Sequence, residues 1–138
     1  MGIDTKELIN RIKQEEDIEV FLEKYEDEMI ALKPVEFLNE LAEEKCLSPA
    51  QIARDSGQSD YVYKVFKGER KPSRDVLIAI SFGMKFDIEE AQLLLRMSKM
   101  AALDPRDRRD SVILFALKEG YGIDRTNELL NDMKERII

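Results

Sequence analysis

Ser48-Pro49-Ala50-Gln51-Ile52-Ala53-Arg54-Asp55-Ser56-Gly57-Gln58-Ser59-Asp60-Tyr61-Val62-Tyr63-Lys64-Val65-Phe66-Lys67-Gly68 reads as two short helices joined by a tight turn. Ser48 is a strong N-cap, Pro49 stands at the first helical position, where a missing N–H costs nothing, and Gln51 can reach back to the cap. Ala53 is small enough for two helices to cross closely, and Gly57 permits the positive φ of a tight turn. Ser59 caps the second helix and Gly68 stops it. That second helix admits two registers: Val62 with Val65 and Phe66 inward, or Tyr63 with Phe66 inward. Lys64 points outward in both.

Working outward, apolar residues recur at helical spacing and no alternating strand pattern interrupts them, so the expected fold is all-α. Asp4 with Glu7 opens a first helix to about Lys13, and Asp17 a second carrying Ile18, Phe21, Leu22 and Tyr25 on one face, ended by Lys33-Pro34. A third helix presents Phe37, Leu38, Leu41 and Ala42. Past Gly68, Ser73 opens a helix through Val76, Leu77, Ile80 and Phe82. Asp87 with Glu90 opens another, Ile88 to Met100, with Ala91, Leu94, Leu95 and Ser98 on one face. Asp104-Pro105 starts a helix from Arg106 to Lys118, and Asp124 caps the last, with Leu129, Leu130 and Met133 apolar. Sliding the chain by 35 residues aligns Arg74 with Arg109, Asp75 with Asp110, Ile78 with Ile113, Ile88 with Ile123, Leu94 with Leu129 and Leu95 with Leu130, with Phe86 beside Tyr121. This pattern reads as a helix hairpin used twice.

Composition narrows the chemistry. The 138 residues hold 22 basic and 29 acidic side chains, no His, no Trp and one Cys. Disulfide frameworks, Cys/His zinc sites and histidine-based triads are thereby excluded. Carboxylate runs such as Glu15-Glu16-Asp17 lie on polar faces, and no metal-ligand or phosphate-loop spacing recurs, so no catalytic residues, metal or cofactor are expected. Cys46 reads as a small core residue in a reducing compartment. No stretch approaches the ~18 consecutive apolar residues of a membrane span, and the start has no signal-peptide pattern. The expected location is cytoplasmic, and nucleoid-associated when bound to DNA. Net charge is −7, but it is uneven: residues 1–53 sum to −8, 54–74 to +3 and 75–138 to −2. One basic patch in an anion-repelling surface suits selective contact with a phosphate backbone better than general polyanion binding.

Helix, Gly57 turn and helix, preceded by an amphipathic helix and followed by Gly68-Glu69-Arg70-Lys71-Pro72-Ser73, have the layout of a helix-turn-helix unit. Residues 38–95 resemble the lambda-repressor-like, Xre-type family of bacterial DNA-binding domains. The resemblance rests on Leu47-Ser48, Ile52-Ala53, Gly57, the 68–73 run, Phe82-Gly83-Met84 and Ile88-Glu89-Glu90-Ala91. The longer run, with Tyr61-x-Tyr63, Pro72-Ser73-Arg74-Asp75 and Arg109-Asp110, is similar to uncharacterised helix-turn-helix regulators of Gram-positive bacteria. The resemblance implies a lambda-repressor-like domain, and with the helices read above the expected organisation is that domain at 34–100, an acidic helical pair at 1–33 and a C-terminal hairpin at 101–138, packed on the domain or used for dimerisation. It also implies a sequence-specific transcriptional regulator with double-stranded DNA and a second copy of itself as partners.

In that setting Lys64 is the candidate for a base-edge contact, because an amine donates to guanine O6 and N7. Tyr61 and Tyr63 suit stacking on sugars or touching thymine methyls, or else core packing, and Asp60 can accept from cytosine N4. Ser48 and Ser59, at helix N-termini, suit phosphate. Lys67, Arg70, Lys71 and Arg74 form a rim that the family places beside the DNA backbone. The chain departs from the family at Pro49, where many relatives carry a glutamine, and by one residue fewer between Gly57 and Gly68. The competing expectation is a protein-interaction module on a scaffold without DNA affinity, holding a partner through the acidic N-terminal or the C-terminal helices.

Overall fold

The computed structural model describes residues 3–26, 33–58 and 60–138. Among the described residues there are nine helices and no strand, as the apolar periodicity predicts. No helix among them is long and apolar enough to cross a membrane. They divide into two compact units, Met1–Ala31 and Leu32–Ile138.

The first unit holds α1 (Thr5–Gln14) and α2 (Ile18–Lys24). Asp4 accepts from the Glu7 N–H at 2.8 Å and Asp17 from the Glu19 N–H at 2.9 Å, so both helices start on the carboxylates the sequence marks. The Arg11 guanidinium donates to the Tyr25 hydroxyl at 3.1 Å and to Glu7 at 2.9 Å, and these bonds, the one to Tyr25 foremost, raise its pKa. Among the described residues of this unit only Phe21 is buried; Ile18 and Leu22, expected beside it, are exposed. With just seven residues, α2 turns only one of its side chains fully inward. It ends at Lys24, well before the expected stop at Lys33-Pro34, and residues 27–32 lie outside the described residues.

The second unit begins with α3 (Pro34–Glu44), α4 (Pro49–Ser56) and α5 (Asp60–Phe66), followed by α6 (Arg74–Gly83) and α7 (Ile88–Met97). The Ser48 hydroxyl accepts the Gln51 N–H at 3.2 Å with Pro49 at the first helical position, and Gly57 closes α4 at φ +70°. Ser59 lies outside the described residues. Cys46 is a correction: it is exposed, not core. It takes the left-handed conformation that ends α3, φ +56°, and the following Leu47 turns onto the core, its N–H bonded to the Ala42 carbonyl at 2.9 Å. The tightest crossing involves Gly83 of α6, where an added Cβ would lie 2.8 Å from the Ile52 carbonyl oxygen of α4.

α8 (Arg108–Glu119) and α9 (Ile123–Asp132) complete the unit, packing on α7 and α6 respectively. α8 starts later than expected. Asp107 is its N-cap, accepting from the Asp110 N–H at 2.9 Å, whereas Asp104 binds the N–H and guanidinium of Arg106 in the preceding turn. Nor does Asp124 cap α9; Gly122 does so without a side-chain bond, and Asp124 lies in the first turn.

The 35-residue register is a structural duplication. The Phe86 N–H donates to the Ser81 carbonyl and the Tyr121 N–H to the Ala116 carbonyl, both at 3.0 Å. Lys85 at φ +58° and Gly120 at φ +72° occupy the same left-handed position between the two helices. Arg74 Nε and Nη2 donate to the carbonyls of Ala101 (2.9 Å) and Ala102 (3.1 Å), and Arg109 to those of Arg136 (2.7 Å) and Ile137 (3.2 Å). The Gln92 amide exchanges two bonds with the Leu103 backbone, and Asn127 does the same with Ile138. The hairpins then join crosswise: Arg74 forks onto Asp110 (3.3 and 2.9 Å), Arg109 onto Asp75 (3.0 and 3.0 Å). Each arginine thus closes its own hairpin and grips the other, a reciprocal arrangement of the kind a two-fold axis produces.

Candidate nucleic-acid interface

α5 resolves the two registers left open by the sequence. Val62 and Val65 are fully buried, Tyr61 and Phe66 are half-buried against the core, and Tyr63 is exposed. Burying a valine contributes about 1.5 kcal/mol or more, and turning Tyr63 inward instead would require a partner for its hydroxyl. The outward residues are Asp60, Tyr63, Lys64 and, just past the helix, Lys67. Their spacing of three, four and seven places them in one stripe. Among the described residues, no hydrogen bond or ion pair engages the side chains of Lys64, Lys67, Lys71 or Asp60. The stripe therefore presents two free ammonium groups, a phenol and a carboxylate.

The loop after α5 extends the cationic surface. Gly68, at φ +76°, turns the chain back, and Arg70 lies over the Tyr61 ring at 5.7 Å, still exposed. The Tyr61 hydroxyl donates to the Lys71 carbonyl at 3.3 Å. Tyr61 therefore braces the loop that carries Arg70 and Lys71, and of the two readings open for it, groove contact or core packing, its half-buried ring takes the second. Ser48 is exposed at the start of α4, with its hydroxyl engaged by the Gln51 N–H. A shallow groove between α4 and α5 is lined by Ala50, Ala53, Arg54, Gly57, Asp60 and Tyr63.

Arg74 departs from its expected place on the rim. Its guanidinium makes four hydrogen bonds, to the Asp110 carboxylate and the carbonyls of Ala101 and Ala102, and its side chain is only 26% exposed. Withdrawing it from Asp110 would leave a buried carboxylate unpaired, so this cation belongs to the hairpin junction. The sequence aligned it with Arg109 in the repeat, and that alignment is the better guide to its role.

Two supporting residues escaped the sequence analysis. Asn39 of α3 donates its amide to the Val35 carbonyl at 2.9 Å and to the Phe66 carbonyl at 3.1 Å, pinning the end of α5. An asparagine beside an apolar stripe carries no signal separating this brace from solvation. Lys85 donates to Asp55 at 3.2 Å and ties α4 to the turn between α6 and α7; this bond is the main cause of the lowered Asp55 pKa. No cluster able to hold a metal occurs among the described residues. Comparison with protein-family models, curated proteins and solved structures gives no match.

Proposed function

We propose that the chain is a sequence-specific DNA-binding transcriptional regulator of lambda-repressor-like, Xre type, with α4 and α5 as its helix-turn-helix and α5 entering the major groove. The observation that carries this reading is the stripe Asp60, Tyr63, Lys64 and Lys67, outward on a helix whose other side is locked down by Val62 and Val65. Lys64, in its middle, contacts a base edge, Tyr63 touches a sugar or thymine methyl, and Asp60 accepts from cytosine. Lys67, Arg70 and Lys71, with the α4 N-terminus at Ser48, hold phosphates. Ser59 is assigned to phosphate by sequence alone. The protein acts as a homodimer, because one such unit covers a half-site and a second copy reaches the next half-site about 34 Å away.

Selection of bound duplexes from a random library, followed by sequencing, tests this reading. Enrichment of one motif, repeated at one helical turn, is the expected result; a library that stays random overturns it. An interaction module is the second reading, favoured by the engagement of Arg74 and Tyr61 inside the fold and by the overall charge of −7. It predicts no enrichment.

A further inference from the structure

The duplicated hairpin shows which face of the second copy is left uncovered by the described helices of its own unit. In the first hairpin Ile80 and Gly83 lie three residues apart on one face of α6. α4 packs on that face so closely that a Cβ at Gly83 would meet its backbone, and Ile80 is completely buried. The positions 35 residues on are Phe115 and Lys118. Among the described helices of this unit none takes the place of α4 there, and Phe115 is 45% exposed. Tyr121 meets Phe115 edge-on, ring centroids 6.1 Å apart, and Leu129 is half-buried beside them.

We propose that this face is where two copies of the chain pair. Lys118 stands where Gly83 admits a helix backbone, so the occupant meets side chains and does not lie in close as α4 does. The charges are self-complementary. Lys118 stacks over Phe115 at 4.6 Å and Arg125 over Tyr121 at 4.4 Å, and Glu128 and Asp132 border the same groove. Lys118 is paired with Glu119 at 3.1 Å, whereas Arg125, Glu128 and Asp132 have no ion-pair partner among the described residues, so a two-fold copy can set each Arg125 against a groove carboxylate of the other copy. Of the other exposed large apolar residues, Tyr63 belongs to the α5 stripe and Met133 and Ile137 to the C-terminal segment, while Ile9, Ile12, Ile18, Val20 and Leu22 of α1 and α2 sit in residues 1–31 with four basic and ten acidic side chains, which oppose a second copy of themselves.

This inference deepens the homodimer of the proposed function, and its test uses no DNA, so it stands or falls separately from base reading. Sedimentation equilibrium of the full chain at tens of micromolar, with circular dichroism as a folding check, compares the wild type with Phe115→Asp, Arg125→Glu and Ile9→Asp. The expected result is a wild-type dimer weakened at least about thirtyfold by Phe115→Asp, the lower bound for a buried hot-spot residue. Arg125→Glu, an exposed change, weakens it as well, and Ile9→Asp leaves it intact. A monomeric wild type overturns the proposal, as does a dimer weakened by Ile9→Asp alone. If Phe115→Asp loses helicity, an unchanged dimer in Arg125→Glu overturns it.

Discussion

The hairpins α6–α7 and α8–α9 share their turn, their arginine clamp and their amide brace, yet differ in what covers them. In the first, every residue from Leu77 to Gly83 is buried; in the second, the stretch 35 residues on includes exposed Phe115 and Lys118. One hairpin carries α4 against Gly83, and the other has a lysine at that position. The comparison teaches that the backbone of a repeat follows its closing hydrogen bonds, and its surroundings follow one or two side-chain volumes.

The largest effect expected within this comparison is at the junction. Asp110→Ala removes the partner of Arg74 and an acceptor of the Asp104 N–H, and should lower stability by about 3 kcal/mol, as breaking a largely buried pair does. Urea denaturation measures it; a loss no larger than that of an exposed ion pair would show that the hairpins are held by apolar packing alone.

Gly83→Ala comes next. The new methyl meets backbone, which cannot rotate away, so a loss of about 2 kcal/mol is expected, in the range of overpacked cores. Lys118→Ala, at the equivalent position, should be nearly neutral. Equal thermal stability of the two variants would contradict the assigned contact with α4.

The smallest effect concerns Lys85, left-handed where the second hairpin has Gly120. Lys85→Gly relieves strain of order 1 kcal/mol and removes the partly exposed bond to Asp55, leaving stability at neutral pH almost unchanged. The acid response should differ. The Asp55 pKa lies below the ordinary 3.8, so the bond contributes stability above that value and loses it as the pH falls through the lowered one. Denaturation midpoints at pH 7 and pH 3 should therefore diverge more in the wild type than in Lys85→Gly. A parallel acid response would exclude Asp55 as a contributor.

These contrasts also mark what was legible in the sequence. Caps and glycines placed most helices, because Ser48, Asp87 and Gly57 act on backbone groups within a few residues of themselves. The repeat was legible for the same reason, since Arg74-Asp75 and Arg109-Asp110 recur with their helices. Arg74 was assigned to the rim because charge density does not reveal whether a cation faces solvent or a distant carboxylate; its partner is 36 residues away. Cys46 reads as core because it stands next to Leu47 at the end of an apolar pattern, and the left-handed turn that exposes it follows from how α3 ends. Along α5 the sequence allowed two inward faces, and contact with α3 and α4 selects between them.

Whether α5 reads DNA is decided by fluorescence anisotropy on a selected duplex and its scrambled counterpart across a salt series. Wild-type protein should prefer the selected duplex, and Lys64→Ala should lose about 1–3 kcal/mol of discrimination at one base pair. Lys67→Ala or Lys71→Ala should weaken both duplexes alike and reduce the salt slope by about one. Wild-type protein that binds both duplexes equally, or neither near physiological salt, would exclude α5 as a DNA-reading helix.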